Sequence, residues 1–198
     1  MSELQLKNFR RRGLGPIDLT IQRGECVALS GPSGSGKTLL LRAIADLDTH
    51  EGDARVDGEN QQSMTGPAWR RQVGFLPAES HWWYEQVRDH FRNGVEHLLT
   101  KLDLPAESLN WEVHRLSSGE RQRLALARLL AGGPSVLLLD EATANLDPEN
   151  TARVERIVEE YRQQEGAAVL WVSHDRLQRA RIADRSYLIH DNRLEDER

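Results

Sequence analysis

Eight consecutive residues, Gly31-Pro32-Ser33-Gly34-Ser35-Gly36-Lys37-Thr38, place three glycines, a lysine and a hydroxyl in an order suited to holding a polyphosphate. The glycines let the backbone curl so that successive N–H groups point at one anion, Lys37 adds a mobile positive charge, and the Thr38 hydroxyl is placed to ligate Mg²⁺. The apolar run Cys26-Val27-Ala28-Leu29 precedes the stretch, and the helix-compatible Leu39-Leu40-Leu41-Arg42-Ala43-Ile44 follows it. The reading is strand, phosphate loop, helix, with the positive end of the helix turned to the same phosphates. A glycine-rich loop alone can be a simple tight turn. The complete pattern in a strand-to-helix setting favours nucleotide binding.

Two further strand ends carry reactive groups. Val136-Leu137-Leu138-Leu139 runs into Asp140 and Glu141, so that Asp140 can hold Mg²⁺ directly or through water while Glu141 orients and deprotonates an attacking water. Val169-Leu170-Trp171-Val172 runs into Ser173-His174-Asp175, which places His174 at a strand end, within reach of a terminal phosphate. Ligands of α/β sheets gather at one such edge. Leu116-Ser117-Ser118-Gly119-Glu120-Arg121-Gln122 precedes the helical run Arg123 to Leu130. Its small residues and hydroxyls make it a second potential anion site, and equally an ordinary capping box.

The elements that must position these groups follow from periodicity. Leu4 and Leu6, then Ile17, Leu19 and Ile21, alternate with polar residues, as half-buried antiparallel strands do. Arg10-Arg11-Arg12-Gly13 is expected as an exposed turn between them, and Arg55-Val56-Asp57-Gly58 as a further strand and turn. Val73-Gly74-Phe75-Leu76, Val136 to Leu139, Val169 to Val172 and Tyr187-Leu188-Ile189 are short, mostly continuous apolar runs, as strands covered on both faces would be. Glu149 to Gln164 places Val154, Ile157, Val158 and Tyr161 on one helix face. The expected fold class is α/β, with a mainly parallel sheet core and a smaller antiparallel β layer. Residues 78–115 break the pattern. They begin with Trp82-Trp83-Tyr84 and run through helix-compatible Phe91, Val95, Leu98, Leu99 and Leu102 to Pro105, an expected small helical subdomain inserted between two core strands.

Length and charge narrow the function. The chain has 198 residues, enough for one domain with its own core, and a formal net charge of −5 that argues against a broad nucleic-acid footprint. Its lone cysteine, Cys26, suits a reducing compartment. No apolar run approaches the roughly 20 residues that cross a bilayer, and the start at Met1-Ser2-Glu3 lacks the pattern of a secretory signal. A cytoplasmic protein is expected.

The ordered set of Gly31 to Thr38, Leu116 to Glu120, Leu139-Asp140-Glu141-Ala142-Thr143-Ala144-Asn145-Leu146-Asp147 and Ser173-His174-Asp175 resembles the ATP-binding subunit of ABC transporters over nearly the whole chain. The resemblance implies a P-loop NTPase of ABC ATPase type, a single domain over residues 1–198, with residues 1–77 and 116–198 as nucleotide-binding core and 78–115 as the insert. It implies ATP and Mg²⁺ as ligands and a homodimer formed head to tail around two ATP. Gly31, Pro32, Ser33, Gly34, Ser35, Gly36, Lys37 and Thr38 would hold phosphates, with Thr38 and Asp140 on the metal. Glu141 would be the general base and His174 the contact to the terminal phosphate. Ser117, Ser118 and Gly119 would close over the ATP of the other copy, with Asp147 linking the opposed sites. A membrane permease subunit would anchor the chain peripherally at the inner face of the membrane. The small size and the segment from Ala168 to Asp175 are more weakly similar to ATPase subunits of bacterial iron exporters.

Some positions depart from the family pattern. Where a glutamine normally follows the strand Val73 to Pro77, this chain has Ala78 and then Glu79. Alanine offers no polar side chain, so Glu79 or a water substitutes, or hydrolysis is slowed. Phe9, or one of Arg10 to Arg12, is the candidate to stack on adenine, with a core role for Phe9 the other reading. Ser118 and Glu120 stand where glycine and glutamine are common. Trp82, Trp83 and Tyr84 lie where such subunits receive a helix from the permease, and equally serve to fill the small subdomain. The competing readings are a non-hydrolytic or weakly hydrolytic ATP-dependent clamp and, disfavoured by Leu116 to Glu120, a phosphate-loop kinase.

Overall fold

The computed structural model describes residues 3–91 and 94–197; Met1 and Ser2, part of the signal-sequence reading, lie outside them. Strands β1 (Leu4–Arg11) and β2 (Leu14–Ile21) pair antiparallel and turn Leu4, Leu6, Phe9, Ile17, Leu19 and Ile21 inward. A register shift between Leu6 and Phe9, with Asn8 at φ 48°, moves the buried position of β1 from even to odd numbers. The expected four-residue turn is shorter in the structure. Strand β1 continues through Arg11 and only Arg12 and Gly13 make the turn, Gly13 taking φ 76°.

Next come β3 (Cys26–Ser30), α1 (Lys37–Ile44), β4 (Glu51–Val56), β5 (Glu59–Asn60), α2 (Gly66–Gln72) and β6 (Val73–Leu76). After the 78–115 region follow α4 (Ser118–Ala131), β7 (Val136–Asp140), α5 (Pro148–Glu165), β8 (Ala168–Val172), α6 (Arg176–Ile182), β9 (Arg185–His190) and β10 (Arg193–Asp196); α3 (Glu96–Lys101) lies within that region. The small sheet has the order β2-β1-β4-β5 and is antiparallel; the six-stranded sheet has the order β10-β9-β3-β8-β7-β6 and is parallel except for the β9–β10 pair.

Every residue of β3, β7 and β8 is buried, and their alternating side chains enter two cores. Val27, Leu29, Val136, Leu138, Leu170 and Val172 join the core that α1 and the small sheet cover. Cys26, Leu137, Leu139, Val169 and Trp171 join the one covered by α4 and α5. From α5, Val154, Ile157 and Val158 are buried as expected, each worth about 1.5–3 kcal/mol of transfer free energy. Strand β9 differs from its expected two-sided burial. Only Ile189 among its residues is fully buried, because β9 is one strand from the sheet edge.

The insert is less helical than its apolar spacing suggests. Helix α3 covers six residues, flanked by short 3₁₀ turns at Val87–His90, Ala106–Asn110 and Val113–Arg115. Gly94 at φ 89°, Asp103 at φ 55° and Pro105 interrupt longer helix formation. The apolar side chains are buried all the same, with Val87, Val95, Leu98, Leu99, Leu102 and Leu104 packing into the core of α4. Among the described residues, no helix is long and apolar enough to cross a membrane.

Register fixes the functional edge. Leu29 of β3 lies opposite Val172 of β8, and Val172 lies opposite Asp140 of β7. The carboxyl ends of three neighbouring strands are therefore level, and the loops that leave them start side by side.

Candidate functional site

The loop after β3 needs its glycines for definite reasons. Gly31 has φ 148°, and a Cβ there would come within 2.8 Å of Ile189 O and of Ser35 Oγ. Gly34 and Gly36 take φ 80° and 95°, which side chains rarely adopt. Gly36 begins α1 without a side-chain cap, so the first N–H groups of the helix are not satisfied by a cap and face the loop. Lys37 Nζ donates to Gly31 O at 2.8 Å and Pro32 O at 3.0 Å. Burial lowers the Lys37 pKa, opposed by the nearby carboxylates of Glu141 and Asp140.

Across the level strand ends, Thr38 Oγ1 donates to Asp140 Oδ2 at 2.7 Å. Among the described residues no group of three or more His, Cys, Asp or Glu side chains could hold a metal by itself. A hydroxyl next to one buried carboxylate nevertheless fits Mg²⁺, which commonly takes one or two protein oxygens and completes its shell with phosphate and water.

Glu141 leaves the strand at φ 50°, its N–H donating to Val172 O at 3.1 Å. This turns its carboxylate toward β8, where Oε1 lies 3.3 Å from His174 Nε2. That oxygen is buried without a hydrogen-bonding partner. Burial raises the Glu141 pKa, and the charge of a protonated His174 pulls it back. A half-buried carboxylate with one unsatisfied oxygen at a phosphate site is suited to take a proton from water.

Ser33, Gly34, Lys37, Thr38, Asp140, Glu141 and His174 line one cavity of about 300 Å³, and Ala78 is in its wall. Of the alternatives for the missing glutamine, Glu79 is exposed and lies outside the lining. Nearby, Gln122 Nε2 donates to Pro77 O at 3.2 Å and fixes the backbone just before Ala78.

Ser117, Ser118 and Gly119 do not line this cavity. They start α4, where Ser117 and Glu120 form a reciprocal capping box: Glu120 N donates to Ser117 Oγ at 3.3 Å, and Ser117 N donates to Glu120 Oε2 at 2.9 Å. The Ser117 hydroxyl, which donates to Glu120 Oε2 at 2.7 Å, and then the Ser117 N–H hold the Glu120 carboxyl below its ordinary pKa. A Cβ on Gly119 would lie 3.3 Å from Leu146 Cδ2, so the helix start abuts the segment leading to Asp147. Asp147 caps α5, accepting from Asn150 N at 2.8 Å and Nδ2 at 2.7 Å. Asn150 lowers its pKa.

Phe9 is not placed to stack on adenine. It has no exposed surface and stacks on His50 with ring centroids 4.5 Å apart, because the irregularity at Asn8 turns it inward. Arg10, Arg11 and Arg12 instead line a cavity of about 770 Å³ with Thr49 and Glu51. This cavity borders the phosphate loop, since Leu14, also in its wall, reaches within 3.5 Å of a Cβ position on Gly36.

At the insert, Trp83 and Tyr84 are 64% and 53% exposed while Trp82 is half-buried. His90 lies among all three rings, at 4.8, 4.8 and 5.1 Å. Its Nε2 accepts from Trp83 N and Tyr84 N. The Arg128 guanidinium covers Trp82 and Trp83 at 4.5 and 4.8 Å. The sequence gives no sign of Arg128, of the bond from Gln122 to Pro77, or of the α6 residues Gln178 and Arg179. Single residues on a helix carry no spacing signal.

The family model described as "ABC transporter" matches residues 14–144. A phosphate import ATP-binding protein of Natronomonas pharaonis is 35% identical, the match covering 91% of this chain and 72% of that protein. A phosphate import ATP-binding protein of Aeropyrum pernix is 36% identical, covering 90% and 81%. A dimeric ATP-binding cassette in a post-hydrolysis state bound to ADP and Pi superposes with a TM-score of 0.84 at 26% identity, covering 98% of this chain and 97% of that one. The chain belongs to the ABC transporter family, as one of its ATP-binding cassettes.

Proposed function

We propose that this cassette hydrolyses ATP as a head-to-tail homodimer and drives a separate membrane permease. The carrying observation is the division of groups within one chain. Lys37, Thr38, Asp140, Glu141 and His174 line one cavity, whereas Ser117 to Gly119 lie outside it. A second copy would bring its Ser117, Ser118 and Gly119 to close over the terminal phosphate, with the segment Asn145-Leu146 that leads to Asp147 against that helix start in each copy.

In this reading the backbone N–H groups of Ser33 to Thr38 and the Lys37 ammonium hold the phosphates, with Gly31 and Pro32 shaping the turn into the loop. Lys37 exchanges its bonds to Gly31 O and Pro32 O for phosphate oxygens. Thr38 and Asp140 would hold Mg²⁺, which when bound neutralises phosphate charge. Glu141 accepts a proton from water as the water oxygen bonds to the terminal phosphorus, and the bond to the ADP oxygen breaks. His174 orients the terminal phosphate and fixes Glu141. Residues 78–115 would form the inserted subdomain. Trp83, Tyr84 and the groove of about 550 Å³ that includes Arg70, Arg71 and Arg128 would receive the permease and hold the chain at the inner face of the membrane. A guanidinium of the β1–β2 turn would stack on the base in place of Phe9.

Phosphate release by the wild-type chain and its Glu141→Gln variant, with sedimentation in ATP, tests this reading. Expected are phosphate release by the wild type, near-complete loss in the variant, and an ATP-dependent dimer of the variant. Unchanged release in the variant, or a variant that stays monomeric in ATP, overturns it. Ala78 in the cavity wall favours one second reading, an ATP-dependent clamp with slow hydrolysis; a wild type that dimerises with ATP and releases no phosphate supports it.

A further inference from the structure

Ser173 stands between β8 and His174, and α6 holds both of its polar ends. Its hydroxyl donates to Gln178 Oε1 at 2.7 Å, and its carbonyl accepts from Arg179 Nη1 at 3.0 Å. Gln178 is 2% exposed. Its Nε2 donates to Thr143 Oγ1 at 2.8 Å and to Glu155 Oε1 at 2.9 Å. A carboxylate only accepts, so Glu155 fixes which end of the carboxamide is nitrogen. The bridge therefore has a defined direction, with nitrogen toward Glu155 and oxygen toward Ser173, while the Thr143 hydroxyl accepts from Nε2 at 2.8 Å and lies 3.2 Å from Oε1.

Thr143 is two residues beyond Glu141, and Ser173 directly precedes His174. One buried side chain thus joins the segments that carry the 3.3 Å Glu141–His174 pair. A leucine would fill the same volume without burying an amide. A satisfied polar network in a low-dielectric interior adds a fixed geometry that apolar packing does not. Arg179 extends the network: its Nη2 and Nε donate to Glu197 Oε1 and Oε2 at 2.6 and 3.2 Å. Glu197 also accepts from Ser30 Oγ, at the end of β3, at 3.1 Å.

We propose that Gln178 is a positioning residue for ATP hydrolysis, bridging Thr143 and Ser173 so that Glu141 and His174 face one terminal phosphate together. This rests on the hydrolytic reading above.

Steady-state kinetics and hydrogen exchange on the full chain test it. Gln178→Leu is expected to lower kcat about tenfold or more while KM for ATP stays within about twofold, because the side chain orients reacting groups and touches no phosphate. Gln178→Glu alone opposes two carboxylates at Glu155 and loses activity similarly. Adding Glu155→Gln restores a donor facing an acceptor and recovers most of kcat, a rescue that a general loss of packing does not show. Without nucleotide, Thr143→Val is expected to speed amide exchange in residues 173–177, and Ser173→Ala in residues 141–147, by about threefold or more. Exchange changes confined to the mutated segment overturn the bridge. So does unchanged kcat in Gln178→Leu, or a kcat loss that the paired substitution fails to recover. A wild type without phosphate release removes the hydrolytic reading instead, and the exchange pattern still decides whether Gln178 couples the two segments.

Discussion

Two helices of this cassette begin where an anion can be held, and they begin differently. Helix α1 starts from Gly36 with no side-chain cap and no acidic residue in its first turn. Helix α4 starts from Ser117, closes a capping box with Glu120 and so carries a carboxylate in its first turn. The first has uncapped orphan donors beside Lys37, which in the proposed function hold phosphate within one chain. The second satisfies the donors of Ser117 and Glu120 internally, leaving by helix geometry those of Ser118 and Gly119 pointing outward. It is already stable before any second copy arrives, and its own negative charge tempers its attraction for phosphate.

Substitutions at the two starts should separate these roles. The largest effect is expected at α1: Lys37→Ala should weaken ATP binding by about 2 kcal/mol, roughly 30-fold, measured by fluorescence titration of a nucleotide analogue. At α4, Gly119→Val would press on Leu146; phosphate release should fall about tenfold while single-chain ATP affinity stays within about twofold. An equal loss of affinity would erase the proposed distinction. Glu120→Gln keeps the reciprocal cap and removes the charge. The ATP-dependent dimer should tighten by about 0.3–1 kcal/mol, seen by sedimentation at low ionic strength, and the gain should fade in high salt.

A further effect is on stability rather than on binding. Ser117→Ala should cost about 1 kcal/mol, a drop of about 2–4 °C in Tm. Because folding lowers the Glu120 pKa, the cap stabilises fully above the unfolded carboxyl value of about 4.3. The share that runs through the carboxylate is lost as pH falls through the lower, folded value. The gap between calorimetric melts of the two proteins should therefore narrow on acidification to the share of the Glu120 N to Ser117 Oγ bond, and a gap of constant size would assign the whole loss to that bond rather than to the carboxylate.

The strand-end groups were legible because backbone rules force their spacing: a loop of Gly31, Gly34 and Gly36, and apolar strands ending at Asp140 and before Ser173. The level register of β3, β8 and β7 then brings them together. Phe9 was ambiguous because its direction depends on the register shift at Asn8, which alternation does not predict. The insert buries its aliphatic residues from Val95 to Leu104 but keeps only a six-residue helix, since Gly94, Asp103 and Pro105 outweigh the spacing of Leu98, Leu99 and Leu102. Gln178 left no trace in the sequence. Its meaning depends on Thr143, 35 residues earlier, and a single glutamine on a seven-residue helix has no pattern of its own.

Cys26, packed beneath α5, has a practical consequence. It is the chain's one cysteine, and burial pushes its thiol up to about 12, so near neutral pH it stays protonated and inert. The natural protein therefore offers a silent background for thiol labelling. One cysteine introduced at exposed Gln164, near the end of α5 and outside the cavity and the α4 start, would carry a spin label or fluorophore alone, and the distance between labels on two copies would follow their approach as ATP is added and consumed.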